Sequence, residues 1–315
     1  MKIAIVGTGA MGSVYAGVLA ESGHEVWAID QWQDHVTAIN ASGLCIEGPS
    51  GKRNIVLKAT TDFAEPGICD LVVIATKAMD VRSAAISAAE LTEVETPVLS
   101  IQNGLGGPDN AASVLGRETV MVGSAGGFGA SVLGPGHVRH EGMELMRLGE
   151  LAGPVTERLV RVAEIWSSAG FNVQVYDDIA RLVWEKLVCN VAYSALCTVL
   201  ECTIGEILAD KDCSLISARC ASEAYEVGRA QGIGFGFDDP RAYVVQFGER
   251  LLDARPSMLL DYLAGRRGEI DVINGVIPHI ASEVGLQAPV NETLSGIVRF
   301  KEYSMLKCAV DRIQA

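Results

Sequence analysis

Three glycines near the start of the chain have the spacing of a loop that binds phosphate groups. The segment Gly7-Thr8-Gly9-Ala10-Met11-Gly12 has the pattern G-x-G-x-x-G. In such a loop the first glycine permits a tight turn, the second leaves room for a pyrophosphate, and the third lets a helix pack closely. The N–H groups at the start of that helix can then hold the phosphates. These six residues are therefore predicted to bind a dinucleotide.

The neighbouring sequence distinguishes this motif from an ordinary turn in a chain with 34 glycines. Lys2–Val6 is typical of a short buried strand, residues 13–22 have helical spacing before Gly23, and Glu25–Ile29 is typical of a second strand that ends at Asp30. An acidic residue about 20 residues after the glycines is placed to contact the ribose hydroxyls of an adenosine. A turn that binds nothing would leave all of these features unexplained.

Two further polar side chains follow predicted strands. Lys77 follows the apolar segment 70–76, and Asn103 follows the segment 97–101. Because ligands bind outside the carboxyl ends of strands in open α/β sheets, both side chains are candidate contacts for a cofactor or a substrate. The alternatives are a surface lysine and a turn asparagine that holds Gly104 in place.

The second half of the chain carries another set of polar residues. Lys186 and Asn190 are four residues apart, so they share one face of a predicted helix, where they either meet a ligand or border an apolar stripe in solvent. Glu269 lies in the first turn of another predicted helix, where the helix dipole favours a carboxylate in any case. Ser257 begins a further helix, and a serine there can simply cap it. The pattern alone leaves these alternatives open.

The elements that position these residues divide the chain into two domains. Residues 1–177 alternate between strands and helices, with a hairpin around 48–51 and partly antiparallel strands between 120 and 148, which predicts an α/β Rossmann dinucleotide-binding domain. Residues 178–315 are predicted to form an all-helical domain for substrate binding and catalysis. Its expected helices lie near 180–200, 213–231, 239–253, 267–284 and 291–307.

Composition limits the partners and the location of the protein. Twenty-five Lys and Arg against 39 Asp and Glu give a net charge of −14, which disfavours nucleic-acid binding. Eight cysteines without a C-x-x-C pair or a histidine cluster predict reduced thiols and no metal site. No segment is expected to approach the 18 or so apolar residues that a membrane span requires. We therefore expect a cytoplasmic protein that does not bind membranes.

Six motifs follow one another along the chain: the glycine loop, Thr76-Lys77-Ala78, Gln102-Asn103-Gly104, Trp184-Glu185-Lys186-Leu187 with Asn190, Pro256-Ser257-Met258, and Glu269-Ile270-Asp271-x-x-Asn274-Gly275. This ordered set resembles the ketopantoate reductase (2-dehydropantoate 2-reductase) family and covers nearly the whole chain. The resemblance implies a Rossmann domain, a helical domain similar to that of 6-phosphogluconate dehydrogenase, and an active site in the cleft between them. It is also compatible with a homodimer.

The resemblance implies a reaction and roles for single residues. The expected reaction is the NAD(P)H-dependent reduction of ketopantoate, a 2-keto acid, to (R)-pantoate in pantothenate and coenzyme A biosynthesis. Lys186 would be the general acid at the ketone oxygen, with a pKa lowered by partial desolvation. Glu269 would orient Lys186 and bind the distal hydroxyl of the substrate, which Asn190 and Ser257 would also hold. Asn103 would lie beside the nicotinamide ribose.

The resemblance also implies that Lys77 contacts the cofactor.

The chain departs from the family pattern at three positions. Asp30 stands where members that use NADPH have a basic residue. A carboxylate there would bind a free 2′-hydroxyl and repel a phosphate, which predicts a preference for NADH over NADPH. Ser194 and Ala254 replace asparagines on the substrate side, so the contacts of Ser194 with the substrate are open to change.

Three alternatives to ketopantoate reduction follow. The first is a paralogous reductase of another 2-keto acid. The second is a β-hydroxyacid dehydrogenase, although Leu182-Val183-Trp184-Glu185 precede Lys186 here in place of the usual glycine-rich approach to the catalytic lysine. The third, from another class, is a non-catalytic regulatory protein that binds a dinucleotide. Retention of Lys186 and Glu269 together disfavours the third.

Overall fold

The computed structural model describes residues 1–49, 51–127, 129–142 and 145–314, with 309–314 described by their backbone alone. Ser50 of the expected hairpin turn, Phe128 of the glycine-rich stretch and residues 143–144 lie outside the described residues.

The chain divides into two compact units. The first combines Met1–Gln102 with Gly106–Ile179, and the second combines Asn103–Leu105 with Ala180–Ala315. The division between 179 and 180 lies close to the boundary that the sequence predicts after residue 177. The short segment Asn103–Leu105 belongs to the second unit although the chain on either side of it belongs to the first.

The first unit contains all the strands of the described chain, together with five helices. The strands are β1 (Lys2–Val6), β2 (Glu25–Ile29), β3 (Leu44–Gly48), β4 (Gly51–Ile55), β5 (Lys58–Thr60), β6 (Leu71–Ile74), β7 (Val98–Ile101), β8 (Val120–Gly126), β9 (Gly129–Gly134), β10 (His137–Gly142), β11 (Leu145–Glu150) and β12 (Val173–Val175). The helices are α1 (Ala10–Glu21), α2 (Gln33–Ser42), α3 (Val81–Ala88), α4 (Gly107–Leu115) and α5 (Glu157–Ser168).

The larger sheet has the order β12-β11-β8-β7-β6-β1-β2-β5. Its neighbouring strands are parallel except for the antiparallel pair β8 and β11. Strand β1 lies between β2 and β6, with Val6 opposite both Ile29 and Ile74, so the residues that follow these strands share one edge of the sheet. The direction of strand order changes at β1, which is the point where open α/β sheets bind ligands. The predicted α/β Rossmann domain is confirmed.

A smaller sheet has the order β4-β3-β10-β9. The predicted hairpin is confirmed, because β3 and β4 pair antiparallel with Gly48 opposite Gly51. The sequence interpretation missed β5 and α4. Strand β5 is a three-residue edge strand without an apolar run, and α4 is built mostly of small and polar residues, so neither shows a clear period.

The second unit is helical throughout its described residues. Its helices are α6 (Ile179–Leu200), α7 (Ile204–Ala209), α8 (Lys211–Ala230), α9 (Pro240–Glu249), α10 (Ser257–Leu263), α11 (Val276–Glu283) and α12 (Pro289–Gln314). The core surrounds α6, which is buried on nearly every side between residues 187 and 198. Helical spacing predicts a buried stripe of Leu182, Val183, Leu187 and Val191. The buried surface of the helix is wider than this stripe, and Leu182 and Val183 are only half-buried.

The single helix expected over 267–284 is wrong. A 3₁₀ turn at Ile270–Val272 follows Glu269, and α11 begins only at Val276. Gly275 separates the two, and a Cβ there would lie 2.6 Å from the guanidinium of Arg299. The helical spacing of Ile270, Ile273, Ile277 and Ile280 continues through this break. Tertiary contacts therefore override a local pattern that favours one continuous helix.

Helix α6 also corrects the expectation that no segment is long and apolar enough to span a membrane. Its 22 residues meet that test by length and composition, yet 67% of the most apolar window is buried inside the protein. The central helix of a helical domain is apolar on most of its sides and is buried in this way, so α6 fits that role.

Candidate active site and nucleotide-binding loop

The glycine loop joins β1 to α1 in the first unit. Gly7 has a φ of +89°, and a Cβ on it would lie 2.7 Å from Thr76. A Cβ on Gly12 would lie 1.9 Å from the carbonyl oxygen of Gly7, so α1 approaches the turn too closely for any side chain. A Cβ on Gly9 would meet nothing within 4 Å. The fold therefore requires Gly7 and Gly12, whereas the space beside Gly9 is open.

The start of α1 has the features of an anion site. Gly9 is the N-cap, no side chain caps the helix, and its first turn carries no acidic residue. The N–H groups of Ala10 and Met11 stand at the positive end of the helix dipole. The Thr76 hydroxyl is buried and has no hydrogen-bond partner among the described residues, and its methyl group packs against Gly7. These features fit the pyrophosphate of a dinucleotide.

Asp30, directly after β2, is held beside the glycine loop by backbone donors. The N–H of Thr8 donates to Oδ2 over 2.7 Å, and the N–H of Trp32 donates to Oδ1 over 3.0 Å. The Thr8 hydroxyl is a longer contact at 3.4 Å. The carboxylate therefore has a fixed position at the end of β2, and it ties that strand to the loop.

A buried polar chain supports the same loop from α2. The Ser13 hydroxyl donates to the carbonyl oxygen of Thr8 over 2.7 Å and lies 3.2 Å from Nε2 of His35. The N–H of Gly136 donates to Nδ1 of His35 over 2.9 Å, so Nε2 carries the proton of the neutral ring. Burial lowers the pKa of His35 and favours that neutral form. The sequence interpretation missed His35 and Ser13, which carry no recognisable motif.

Lys77 lies exposed at the carboxyl end of β6, where a 3₁₀ turn, Ala78–Asp80, begins. Because β6 pairs with β1, Lys77 lies at the sheet edge that carries the glycine loop. This is the position that the sequence predicts for it.

Lys186, Asn103 and Glu269 form a hydrogen-bonded cluster in the second unit, here called the Lys-Asn-Glu cluster. Nζ of Lys186 donates to Oδ1 of Asn103 over 2.9 Å, and Nδ2 of Asn103 donates to Oε2 of Glu269 over 3.2 Å. Glu269 is 5% exposed, and the other two residues are half-buried. The family resemblance implies that Glu269 orients Lys186, and the structure adds that Asn103 bridges the two side chains.

The backbone around Asn103 is docked onto the 3₁₀ turn that follows Glu269. The N–H of Leu105 donates to the carbonyl oxygen of Val272 over 3.0 Å. Gly104 has a φ of +77°, and a Cβ on it would lie 2.2 Å from that same oxygen. Position 104 therefore requires a glycine. The close contact of this backbone with the 3₁₀ turn holds Asn103 where its side chain bonds to Lys186 and Glu269.

Two protein-family models match the chain. The model described as "Ketopantoate reductase PanE/ApbA" matches residues 3–153, and the model described as "Ketopantoate reductase PanE/ApbA C terminal" matches residues 178–302. Together they span most of the chain. The chain belongs to the ketopantoate reductase family. Members of this family are oxidoreductases that act on CH–OH groups, and this protein is one of them.

Relatives of this ketopantoate reductase family member match over almost their whole length. A 2-dehydropantoate 2-reductase of Pyrococcus horikoshii is 34% identical over 96% of this chain and 98% of its own. The solved PanE/ApbA family ketopantoate reductase of Ralstonia eutropha is 32% identical, with a TM-score of 0.89 over 97% of this chain and 99% of its own. A D-mandelate dehydrogenase solved with NADH and anilino(oxo)acetate is 28% identical, with the same TM-score and coverage.

The other residues that the family pattern assigns to the substrate are distributed over α6 and α10. Asn190 lies one turn beyond Lys186 and is half-buried, whereas Ser194, a further turn along, is buried. Ser257 is exposed at the first position of α10, and no side chain caps that helix at Pro256. The expected capping role of Ser257 is therefore absent, and its hydroxyl lies on the surface of this unit.

A buried amide pair is a further feature of this family member that the sequence interpretation did not explain. Nδ2 of Asn274 donates to the carbonyl oxygen of Val191 over 2.8 Å and to Oδ1 of Asn291 over 2.9 Å. Asn274 stands in a motif quoted for the family resemblance, but its partners lie 83 and 17 residues away along the chain. Spacing could not identify them.

The eight cysteines are free thiols, as expected. Within the described residues, no group of three or more His, Cys, Asp and Glu side chains is arranged to hold a metal ion.

The Lys-Asn-Glu cluster has the chemistry of a proton donor that is held in place. An ammonium group can donate a proton to an oxygen on which negative charge develops, and it stabilises that charge before the transfer. Asn103 fixes the direction of the Lys186 side chain through its hydrogen bond to Nζ. The cluster can therefore serve the reduction of a carbonyl group.

Proposed function

We propose that this protein reduces a 2-keto acid to the 2-hydroxy acid with a nicotinamide cofactor, and that the substrate is ketopantoate and the product (R)-pantoate. The observation that carries the proposal is the Lys-Asn-Glu cluster, which places a lysine ammonium beside an amide and a buried carboxylate. The names of the relatives, 2-dehydropantoate 2-reductase, support the choice of substrate. The reaction would serve pantothenate and coenzyme A biosynthesis.

In this reaction Lys186 is the general acid. When bound, a reduced nicotinamide would supply the hydride that carbon 2 of the keto acid receives. The electron pair of the carbonyl bond moves to oxygen, which takes a proton from Nζ of Lys186, and the amine left behind recovers a proton from water. Glu269 holds the distal hydroxyl of ketopantoate and orients Lys186 through Asn103. Both residues are catalytic in this proposal.

Substrate contacts come from the polar residues that flank the cluster. Asn190, on the same face of α6 as Lys186, holds the substrate, and Ser257 binds near its carboxylate. Ser194 is the altered position on the substrate side. Asn103 lies beside the nicotinamide ribose in addition to its contact with Lys186.

The cofactor would be held by the glycine loop, with NADH preferred over NADPH. Thr8 to Met11 and the start of α1 hold the pyrophosphate, and Lys77 contacts the cofactor from the neighbouring strand. The fixed Asp30 carboxylate accepts a hydrogen bond from a free 2′-hydroxyl and repels a 2′-phosphate. The structure of D-mandelate dehydrogenase with NADH supports this preference. No metal takes part in the proposed reaction.

We further propose a cytoplasmic homodimer whose partners are small molecules, with no role for nucleic acid or membranes. The charge of −14 supports the exclusion of nucleic acid, and the burial of most of α6 inside the second unit supports the exclusion of a membrane.

A second candidate is the reduction of a 2-keto acid with an aryl or other bulky side chain. The similarity to D-mandelate dehydrogenase, at a TM-score of 0.89, favours it. Ser194 and Ala254 are smaller than asparagine, which leaves more room on the substrate side.

The test is steady-state oxidation of NADH and of NADPH by the purified protein with ketopantoate, benzoylformate and a panel of branched 2-keto acids. The Lys186→Ala variant is the background control. Efficient turnover of ketopantoate with NADH supports the proposal. A higher kcat/KM for benzoylformate or another keto acid selects the second candidate, and no turnover of any keto acid with either cofactor rejects both.

A further inference from the structure

A buried carboxylate on α12 lies behind the Lys-Asn-Glu cluster. Glu302 is 3% exposed, and its Oε1 accepts a hydrogen bond from the N–H of Gly268 over 2.8 Å. Gly268 directly precedes Glu269 in the chain. The carboxylate therefore holds the peptide group between Arg267 and Gly268, one residue before Glu269.

Gly268 is the residue type that permits this contact. A Cβ on it would lie 2.9 Å from the Met258 side chain and 3.2 Å from Oε1 of Glu302. Any other residue would push α10 or the carboxylate away from the N–H. The close approach of Glu302 to the backbone is thus built into the packing of α10, α12 and the segment before the 3₁₀ turn.

Arg267 is the cationic neighbour of Glu302, and it is shared with Asp271. Nε of Arg267 lies 3.8 Å from Oε2 of Glu302, while the guanidinium of Arg267 bonds to Asp271 over 2.8 Å. Asp261, the other acidic neighbour, pairs with Arg266 over 2.9 Å. Burial raises the pKa of Glu302, while the hydrogen bond from Gly268 and the charge of Arg267 act against that rise. The hydrogen bond to the backbone and the contact with Arg267 therefore both compensate for the burial of this carboxylate.

The other end of the same segment is anchored as well. Asn274 donates to the carbonyl oxygen of Val191 on α6, one residue beyond Asn190, and to Asn291 on α12. Between the two anchors lies Glu269, which bonds to Asn103. The segment 268–274 is therefore fixed at both ends, and Glu302 is the anchor nearer to Glu269.

We propose that Glu302 is a positioning residue, whose bond to Gly268 places the Glu269 carboxylate so that Asn103 and Lys186 are aligned. This role rests on the function proposed above. It assigns Glu302 no contact with substrate or cofactor.

The test compares Glu302→Gln, Glu302→Leu and Glu302→Asp with matched changes at Glu292, an exposed residue in the first turn of the same helix. The amide oxygen of Glu302→Gln can accept the same bond, so its kcat and KM stay within about twofold of wild type. Glu302→Leu leaves the Gly268 N–H without an acceptor, so KM for the keto acid rises roughly tenfold or more, while NADH binding changes less than about twofold. Glu292→Gln and Glu292→Leu change neither.

Glu302→Asp, which is one methylene too short to reach Gly268, repeats the Leu result if the Leu variant does not fold. Equal impairment of the Gln and Leu variants, or an unchanged KM in the Leu and Asp variants, overturns the proposal. Hydrogen exchange of the 268–273 amides gives a readout that needs no substrate. Faster exchange in the Leu or Asp variant but not in the Glu292 variants shows that Glu302 holds this segment, whether or not a 2-keto acid is turned over, and unchanged exchange rejects the proposal.

Discussion

Asn103 uses both ends of its amide group, and this sets the character of the Lys-Asn-Glu cluster. Its oxygen accepts a hydrogen bond from Lys186 and its nitrogen donates one to Glu269, so one side chain links the cation and the anion. The amide can make both bonds at once because it carries an acceptor and a donor. Asn103 therefore fixes the direction of the Lys186 ammonium relative to Glu269.

At Lys186, we expect replacement by alanine to lower kcat by about 100-fold or more, since the developing alkoxide then loses its proton donor. Binding of NADH, measured by the change in its fluorescence, is expected to stay unchanged, because the glycine loop belongs to the other unit. Exposed Lys211→Ala serves as the control. A kcat close to wild type for Lys186→Ala would remove this residue from the mechanism.

At Asp30, charge and hydrogen bonding can be separated by two substitutions. Asp30→Asn keeps an oxygen for the Thr8 N–H but removes the charge, so the ratio of kcat/KM values for NADH and NADPH should fall roughly tenfold. Asp30→Arg should invert the ratio, because a guanidinium attracts a 2′-phosphate. The measurement is kcat/KM for each cofactor at a saturating keto acid. Ratios equal to wild type in both variants would show that Asp30 does not lie at the 2′ position.

At the scale of elements, the glycine loop contains two glycines that the fold requires and one that it does not. Gly7 and Gly12 are in tight contact with the protein itself, but Gly9 faces open space. The tightest contact is between α1 and the turn before it, and the buried Ser13 and His35 also support that turn. The loop is therefore a rigid part of the first unit with one open position.

Two alanine substitutions in this loop should have opposite consequences. Gly9→Ala should leave the melting temperature within about 2 °C of wild type but weaken NADH binding roughly tenfold or more, because its methyl group enters the space for the pyrophosphate. Gly12→Ala should destabilise the protein by several kcal/mol, since its Cβ cannot fit against the Gly7 carbonyl. Calorimetry and NADH titration measure the two effects. Normal NADH affinity in Gly9→Ala would contradict the predicted pyrophosphate position.

The bond from Gly136 to His35 predicts a dependence of stability on pH. Because burial lowers the pKa of His35 below the ordinary 6.5, the native state prefers the neutral ring. The resulting stability is present above pH 6.5 and is lost as the pH falls through the lowered native pKa. Asp30, the nearby carboxylate, opposes the shift but does not reverse it. Protonation of Nδ1 would also remove the acceptor of the Gly136 N–H.

Denaturant unfolding of wild type, His35→Gln and His279→Gln between pH 5 and pH 8 measures this effect. His279 is exposed and provides the matched control. The free energy of unfolding should fall less steeply with decreasing pH in His35→Gln than in the other two proteins. Parallel curves for all three would show that His35 keeps its ordinary pKa.

For the whole molecule, a net charge of −14 opposes the binding of an anionic cofactor and a 2-keto acid. Local positive groups must therefore overcome a repulsive field. The uncapped start of α1 provides one, and the Lys186 ammonium provides another. They lie in different units. In the proposed reaction, the first would attract the dinucleotide and the second would attract the keto acid.

The shift in melting temperature caused by each cofactor should show whether cofactor binding depends on the first unit alone. NADH at a hundred times its Kd should stabilise the native protein by about 2.7 kcal/mol, and the Lys186→Ala variant should show the same increase. NADPH at equal concentration should raise the melting temperature less, because Asp30 repels its 2′-phosphate. Differential scanning fluorimetry with both cofactors measures this. A loss of the NADH effect in Lys186→Ala would mean that the lysine supports cofactor binding.

The sequence by itself determined the local elements and the residue types. The spacing of glycines, the apolar strands and Asp30 predicted the β-α-β unit, because turns and periodicity depend on residues close in the chain. The helix that carries Lys186 and Asn190 followed from the same kind of pattern. Motif order then indicated the family, which the family models confirmed.

Only the tertiary structure decided which of these residues meet. Lys186 bonds to a residue 83 positions away, and that residue bonds to Glu269 over a separation of 166 positions. Periodicity reports which face of an element is buried but not which distant side chain lies opposite. Glu302 and His35 were overlooked for the same reason, since a polar residue in a helix carries no local sign that it will be buried. The break before α11 was likewise set by packing around Gly275.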